Sequence, residues 1–300
     1  MTVLLRIDRA GPLATIHDEG REGMLAHGVS ASGPMDRGAY RRAGALAGAR
    51  GEGGIEFTQA GLDLVVSEGR TSIGWDGGIF TIRVNGRAVA WPGSAHLSKG
   101  DRLSITPGAA GNYGYLRFGA VLDLKPVLGS VSTNIRVGLG GLAGRALAAG
   151  DELVLNGNVG RAEELSSAME EGGPIRFIRG LHWEHFSRRV QENFVAAQFR
   201  VTPMLDRMGV RLADEEQVFA GESILSLISD PVLPGDIQIL GDGTPIVLMR
   251  DHQPTGGYPR IGTIISADLD RFAQVRPGSA LAFAPVSVEH AQSLLRRGRT

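Results

Sequence analysis

Four short stretches decide how this chain is read: Gly100-Asp101-Arg102-Leu103-Ser104-Ile105, Gly150-Asp151-Glu152-Leu153-Val154-Leu155, Gly235-Asp236-Ile237-Gln238-Ile239 and Gly278-Ser279-Ala280-Leu281-Ala282-Phe283. Each is a glycine, a polar residue and then an alternating run. Alternation at period two describes a half-buried strand, and the glycine before it marks a tight turn. Two copies fall in each half, which points to a duplicated β-barrel. The composition agrees with a β-rich fold. Glycine supplies 44 of 300 residues without a collagen-like period, as expected where many short strands are joined by turns.

Working outward, Thr2 to Ala10 reads as an opening strand. Asp36 is placed to cap a helix whose apolar face carries Ala39, Ala43, Leu46 and Ala47. Residues 55–66 read as strands. Ile79 to Val84, Asn85-Gly86 and Arg87 to Trp91 form a hairpin pattern, because Asn-Gly suits the positive φ angles of a two-residue turn. The composition turns polar and helix-prone over Arg161 to Glu171, and Gly172-Gly173-Pro174 then breaks the chain, so a domain boundary is expected there. Residues 1–165 form the first domain on this reading and 174–300 the second. In the second, Ile175 to Ile178 is a strand and His182 to Phe199 an amphipathic helix. Residues 238–249 form another hairpin, and Ser287 to Arg297 is a closing helix. Between them, Asp251 to Pro259 holds two prolines and Gly256-Gly257, so it is a polar loop. Ile261 to Ile265 follows as a strand, and Ser266 as the cap of a helix from Ala267 to Val275.

Composition excludes several kinds of function. Thirty-one basic and 32 acidic residues leave a net charge of −1, without the basic excess that nucleic-acid binding draws on. There is no cysteine, hence no disulfide, thiolate catalyst or cysteine zinc site. The N-terminus lacks a signal-peptide pattern and no apolar run spans a membrane, so a cytoplasmic location is expected. No G-x-S-x-G, H-E-x-x-H or phosphate-loop motif occurs. His182 and His185 have a spacing that a metal can use, but an ordinary amphipathic helix explains them better.

Longer motifs carry a resemblance. They are Asp18-x-Gly20-Arg21-x-Gly23, Ser32-Gly33-x-Met35-Asp36, Leu128-Gly129-Ser130-x-Ser132-Thr133 and Gly140-Gly141-x-x-Gly144-Arg145. In the second half they are Asp206-Arg207-Met208-Gly209-x-Arg211-Leu212, Pro234-Gly235-x-Ile237-Gln238, Pro245 to Met249, Thr255-Gly256-Gly257-Tyr258-Pro259-Arg260-Ile261 and Ala273-Gln274-x-Arg276-Pro277-Gly278. In this order they resemble the biotin-dependent carboxyltransferase, or allophanate hydrolase subunit 2, family, which includes the C-type component of bacterial 5-oxoprolinase. The resemblance implies a mainly β protein with two tandem cyclophilin-like β-barrel domains and a few short helices. It implies a subunit of an ATP-dependent complex, a hydrolase acting on a cyclic amide, that opens 5-oxo-L-proline to L-glutamate. The expected partners are a smaller subunit, similar to allophanate hydrolase subunit 1, and a third oxoprolinase subunit. Two other roles go with the family. One is a carboxyltransferase or amidohydrolase subunit of a urea carboxylase or allophanate hydrolase system. The other is a non-catalytic antagonist that binds the smaller subunit. ATP is expected as co-substrate of the complex, with no metal site in this chain. Biotin is expected only from a partner carrier, since neither Lys99 nor Lys125 sits in a biotin-attachment setting.

A small polar substrate needs oriented N–H donors and a guanidinium. The expected catalytic residues are Arg207 as carboxylate clamp, Asp251 as base or positioning acid, and Tyr258 as hydrogen-bond donor. Asp206, Thr255, Gly256, Gly257, Ser132 and Thr133 are the expected substrate-binding residues, the glycine-rich loops of both halves lining a cleft. Ser130, Asp18, Arg21 and Asp36, like Ser132 and Thr133, also suit a loop-fixing role.

Overall fold

The computed structural model describes residues 2–157, 172–222 and 226–297. The expected polar helix at Arg161 to Glu171 lies outside them. The strands are β1 Thr2–Ala10, β2 Thr15–His17, β3 Gly54–Thr58, β4 Leu62–Glu68, β5 Arg70–Val84, β6 Arg87–Val89, β7 Gly93–Ser98, β8 Arg102–Phe118, β9 Val121–Leu122, β10 Glu152–Asn156, β11 Ile175–Arg179, β12 Gln198–Leu205, β13 Gly209–Ala213, β14 Asp230–Pro231, β15 Asp236–Ile239, β16 Pro245–Leu248, β17 Thr255–Gly256, β18 Arg260–Ile264 and β19 Ala280–Pro285. The α-helices are α1 Arg37–Ala47, α2 Arg188–Ala196, α3 Ser266–Ala273 and α4 Val288–Arg297. The chain separates into two compact units, Met1–Glu22 with Ala31–Ala168, and Gly23–Ser30 with Met169–Thr300.

The first unit is a curled sheet in the order β2-β3-β8-β4-β1-β10-β9, with β5 on β8 and β6 and β7 on β5. Its longest strands, β5 and β8, pair across two register shifts between Gly77 and Thr81, and such irregularities bend a strand and curl its sheet. Alternation along β1 sends Val3, Leu5 and Ile7 into the core, where they meet Phe57, Leu64, Trp75 and Leu116. Asp36 caps α1 through Ala39 N (2.8 Å), as the sequence suggests. Gly74 lets that helix lie close: a Cβ there would stand 2.3 Å from Ala43 O.

The second unit is a closed barrel, β11-β18-β15-β16-β13-β12-β19. The parallel pair β11 and β19 closes the ring. Its core is aromatic: Phe194 stacks on Phe283 with centroids 5.1 Å apart, and Phe177 meets both edge-on. The helix expected over His182 to Phe199 divides. Trp183–His185 is a 3-10 turn, Ser187 starts α2 by accepting from Val190 N (3.4 Å), and Gln198 already belongs to β12. A serine at 187 offers its hydroxyl to a new helix start, and that local bond overrides the continuous apolar period. Ser266 lies inside α3 rather than capping it, with Ile265 as the preceding residue.

The four glycine phrases are one turn built four times. Gly100, Gly150, Gly235 and Gly278 have φ of 93°, 92°, 94° and 86°. Each donates its N–H to a neighbouring segment at 2.8 Å: to Val66 O, Ile7 O, Leu248 O and Val201 O. The next residue donates to the carbonyl three positions earlier, at 2.9 Å for Asp101 and 3.1 Å for Asp151, Asp236 and Ser279. In three of them the aspartate also takes the N–H of that earlier residue: Ser98 at 2.7 Å, Ala148 at 2.8 Å and Leu233 at 2.9 Å.

Candidate functional site

In the second unit the residues expected to act together are stitched into two neighbouring loops. Asp206 opens the β12–β13 turn, where its carboxylate accepts from Met208 N (2.7 Å) and Gly209 N (3.2 Å). Arg207 sits at that turn with 4% of its surface exposed. Its fork grips Asp251, Nε to Oδ2 at 2.8 Å and Nη2 to Oδ1 at 3.1 Å. Asp251 N donates back to Arg207 O (2.7 Å) and Met249 N to Met208 O (2.9 Å). Sequence reasoning selected both residues, but separately, with the fork reserved for a substrate carboxylate and Asp251 for a base or positioning acid. In the structure Asp251 engages it, so the pair joins the two loops.

Beyond this pair the loop is seated on buried polar groups. His252 is buried, its Nδ1 2.6 Å from Gln253 O. Burial pushes its imidazole below the ordinary value of 6.5, against the pull of Asp236 and Asp251, so near neutral pH it is uncharged. Thr255–Gly256 forms a two-stranded ribbon with Asp230–Pro231. Gly256 and Gly257 are needed for packing: a Cβ on the first would lie 2.4 Å from Gln238 Nε2 and on the second 2.8 Å from Leu227 O. Tyr258 is 41% exposed. Tyr258 and Thr255 are the exposed residues of the loop.

Arg260 anchors the end of the loop, donating from Nη1 to Pro231 O (2.9 Å) and Asp236 Oδ2 (3.4 Å) and from Nη2 to Asp230 Oδ2 (3.2 Å). Its own N–H donates to His182 Nδ1 at 3.1 Å. That bond needs an unprotonated Nδ1, and burial first, then the Arg260 and His185 charges, lowers the His182 pKa to suit. Sequence reasoning did not select Asp236, Gln238, His252 or Arg260 for the site. A signal existed for two: Asp236 and Gln238 are polar residues two apart in a strand whose other residues are isoleucines, so they share one face. Both are 2% exposed, and Gln238 Nε2 has no hydrogen-bond partner among the described residues.

In the first unit Ser132 and Thr133, expected to bind substrate, are inside, 0% and 1% exposed. Asp18 gathers the loop around itself. Its carboxylate accepts from Ser130 Oγ (2.5 Å), Ser132 Oγ (2.7 Å), Val131 N (2.7 Å) and Gly20 N (3.0 Å). Burial alone would raise its pKa. The bonds from Ser130, Ser132, Val131 and Gly20 outweigh burial and hold the carboxyl below its usual value. Arg21 donates to Val127 O (3.1 Å) and Ser132 O (2.5 Å), and Thr133 Oγ1 to Ile16 O (2.9 Å). These residues fix the loop and leave no hydroxyl turned to solvent.

Residues 27–285 match the model of the carboxyltransferase domain, subdomains A and B, and the chain belongs to that family. It is 34% identical over 294 residues to the C-type component of 5-oxoprolinase from Escherichia coli K12, across 96% of this chain and 93% of that protein. It is 29% identical to urea amidolyase of Lachancea kluyveri, across 95% of this chain and 17% of the larger protein. Among solved structures, Kluyveromyces lactis urea carboxylase superposes with a TM-score of 0.87 at 26% identity, across 98% of this chain and 28% of that one.

Proposed function

We propose that this chain is the C-type component of an ATP-dependent 5-oxoprolinase that opens 5-oxo-L-proline to L-glutamate. It acts with a smaller subunit, similar to allophanate hydrolase subunit 1, and a third subunit. The observation carrying this reading is the span of the similarity to the Escherichia coli protein, 93% of its length. Against the urea amidolyase the same chain matches 17%. In the net reaction one water adds to the lactam carbonyl carbon and the ring C–N bond breaks with a proton going to the ring nitrogen, while a second water is consumed as ATP goes to ADP and phosphate. Oxygen gains negative charge as the carbonyl is attacked, so N–H and O–H donors fixed at that position lower the barrier. Thr255 and Tyr258 are the donors of this chain best placed to meet a substrate. Arg207 and Asp251 hold the two loops in register.

The test combines the purified chain, both candidate partner subunits, ATP and 5-oxoproline, and measures glutamate. Glutamate only in the complete mixture supports the proposal. A stable complex that consumes urea or allophanate, and not 5-oxoproline, favours the second reading, a carboxyltransferase or amidohydrolase subunit. That reading has its own support in the likeness to urea carboxylase. A complex with no turnover of any of these favours a binding antagonist.

A further inference from the structure

Strand β15 is buried along its whole length, yet half of it is polar. Ile237 and Ile239 take one face, Asp236 and Gln238 the other. Over the polar face lies β17: a Cβ on Gly256 would strike Gln238 Nε2. That Nε2 has no hydrogen-bond partner among the described residues. Gln253 Nε2 donates to the same amide's Oε1 at 3.4 Å, which fixes the end that carries the N–H. Burying a donor unpaired costs stability, and a methionine of similar shape would fill the place without that cost. Such a group calls for a partner.

The roof over it is lightly tied. Strand β17 is two residues long and pairs with Asp230–Pro231, where Pro231 has no N–H to give. Arg260 clips the Asp230–Pro231 side to the barrel, bonding Pro231 O, Asp230 and Asp236. On the other side, Gly256 and Gly257 have no side chain to hold, and Thr255 is exposed. Glycines also absorb the backbone rotation that a moving segment needs.

We infer that Thr255–Gly257 is a lid, and that Gln238 Nε2, once uncovered, donates to the carbonyl oxygen of a neutral amide. Charge selects the ligand. Asp230 and Asp236 share the guanidinium of Arg260, and His252 is uncharged near neutral pH, so this floor suits a neutral acceptor better than an anion. That the amide is the lactam of 5-oxoproline rests on the proposed function; the lid and its donor do not.

The full chain, nitrogen-labelled for NMR, is titrated with 2-pyrrolidinone, a neutral lactam, while the side-chain amide resonance that Gln238→Met removes is followed. It should move with 2-pyrrolidinone and stay still with acetate. Pro231→Cys with Thr255→Cys, at facing positions of the ribbon, places a disulfide across it in a chain that has no other cysteine. The resonance should stay still in the oxidised form and move again on reduction. In the complete complex, Gln238→Met should raise KM for 5-oxoproline roughly tenfold with kcat within about twofold of wild type. The same variant should melt no lower than the wild type, because it removes an unpaired donor; a residue that only supported the fold would lower melting and leave KM alone. The inference is overturned if the wild-type resonance ignores 2-pyrrolidinone, if acetate moves it equally, if the oxidised form responds like the reduced one, or if an active Gln238→Met complex keeps the wild-type KM. A moving resonance with no glutamate from the wild-type complex removes the proposed function and leaves the lid and donor standing. Glutamate formed while the resonance stays still does the opposite.

Discussion

At the scale of residues, the pair Arg207 and Asp251 changes what a truncation should do. Both are nearly inaccessible, and removing one partner of a buried pair strands the other charge, at a cost of about 3–5 kcal/mol. Arg207→Ala should therefore lower the melting temperature as well as any activity. Replacing the pair together, as Arg207→Met with Asp251→Leu, should recover most of the stability. A double-mutant cycle by urea unfolding checks this, and additive single effects would remove the coupling. Tyr258→Phe should leave melting nearly unchanged, since the residue is 41% exposed, and lower turnover of the complex by about 100-fold if its hydroxyl meets the charged oxygen. Asp18 gives a pH signature. Its carboxyl is depressed in the fold, so its stabilisation is complete above the unfolded value of about 3.9 and is lost as pH falls through the lower folded value. Unfolding midpoints taken downward from about pH 6 should fall less steeply for Asp18→Asn than for the wild type. Residue types drew attention to Arg207, Asp251 and the glycines. They did not show that the arginine and aspartate would satisfy each other, because that depends on loops 44 residues apart meeting.

At the scale of elements, the repeated turn was legible because it obeys a local rule. Glycine is the residue that takes φ near +90° without strain, and the following aspartate closes the turn with its own carboxylate. Gly100→Ala meets no atom within 4 Å, so its cost should be the backbone strain alone, about 1–2 kcal/mol. Gly74→Ala is different in kind. Its Cβ would collide with the backbone of α1, and such overpacking typically costs about 1–3 kcal/mol. Near-ultraviolet circular dichroism should register displaced packing for Gly74→Ala and not for Gly100→Ala. The Asn85-Gly86 hairpin was legible for the same local reason, with φ of 51° and 78°. The division of the expected His182 to Phe199 helix was not, because apolar spacing continues through Ser187 while the backbone turns away.

At the scale of the whole molecule, the sequence indicates two β units, and the structure shows one closed barrel and one curled sheet. Whether a sheet closes depends on the pairing of its first and last strands, here β11 with β19, over 108 residues from Ile175 to Phe283. Local alternation carries no information about a pairing that distant. Substrate identity lies still further from the local pattern, since in the proposed complex it rests on groups from more than one subunit. The most direct test titrates this chain into fixed amounts of the two partner subunits with ATP and 5-oxoproline, and follows the initial rate of glutamate formation. The proposed function predicts no glutamate without the chain and a rate that climbs, then levels off at a fixed subunit ratio. A rate already maximal without the chain, or zero at every ratio, would contradict it.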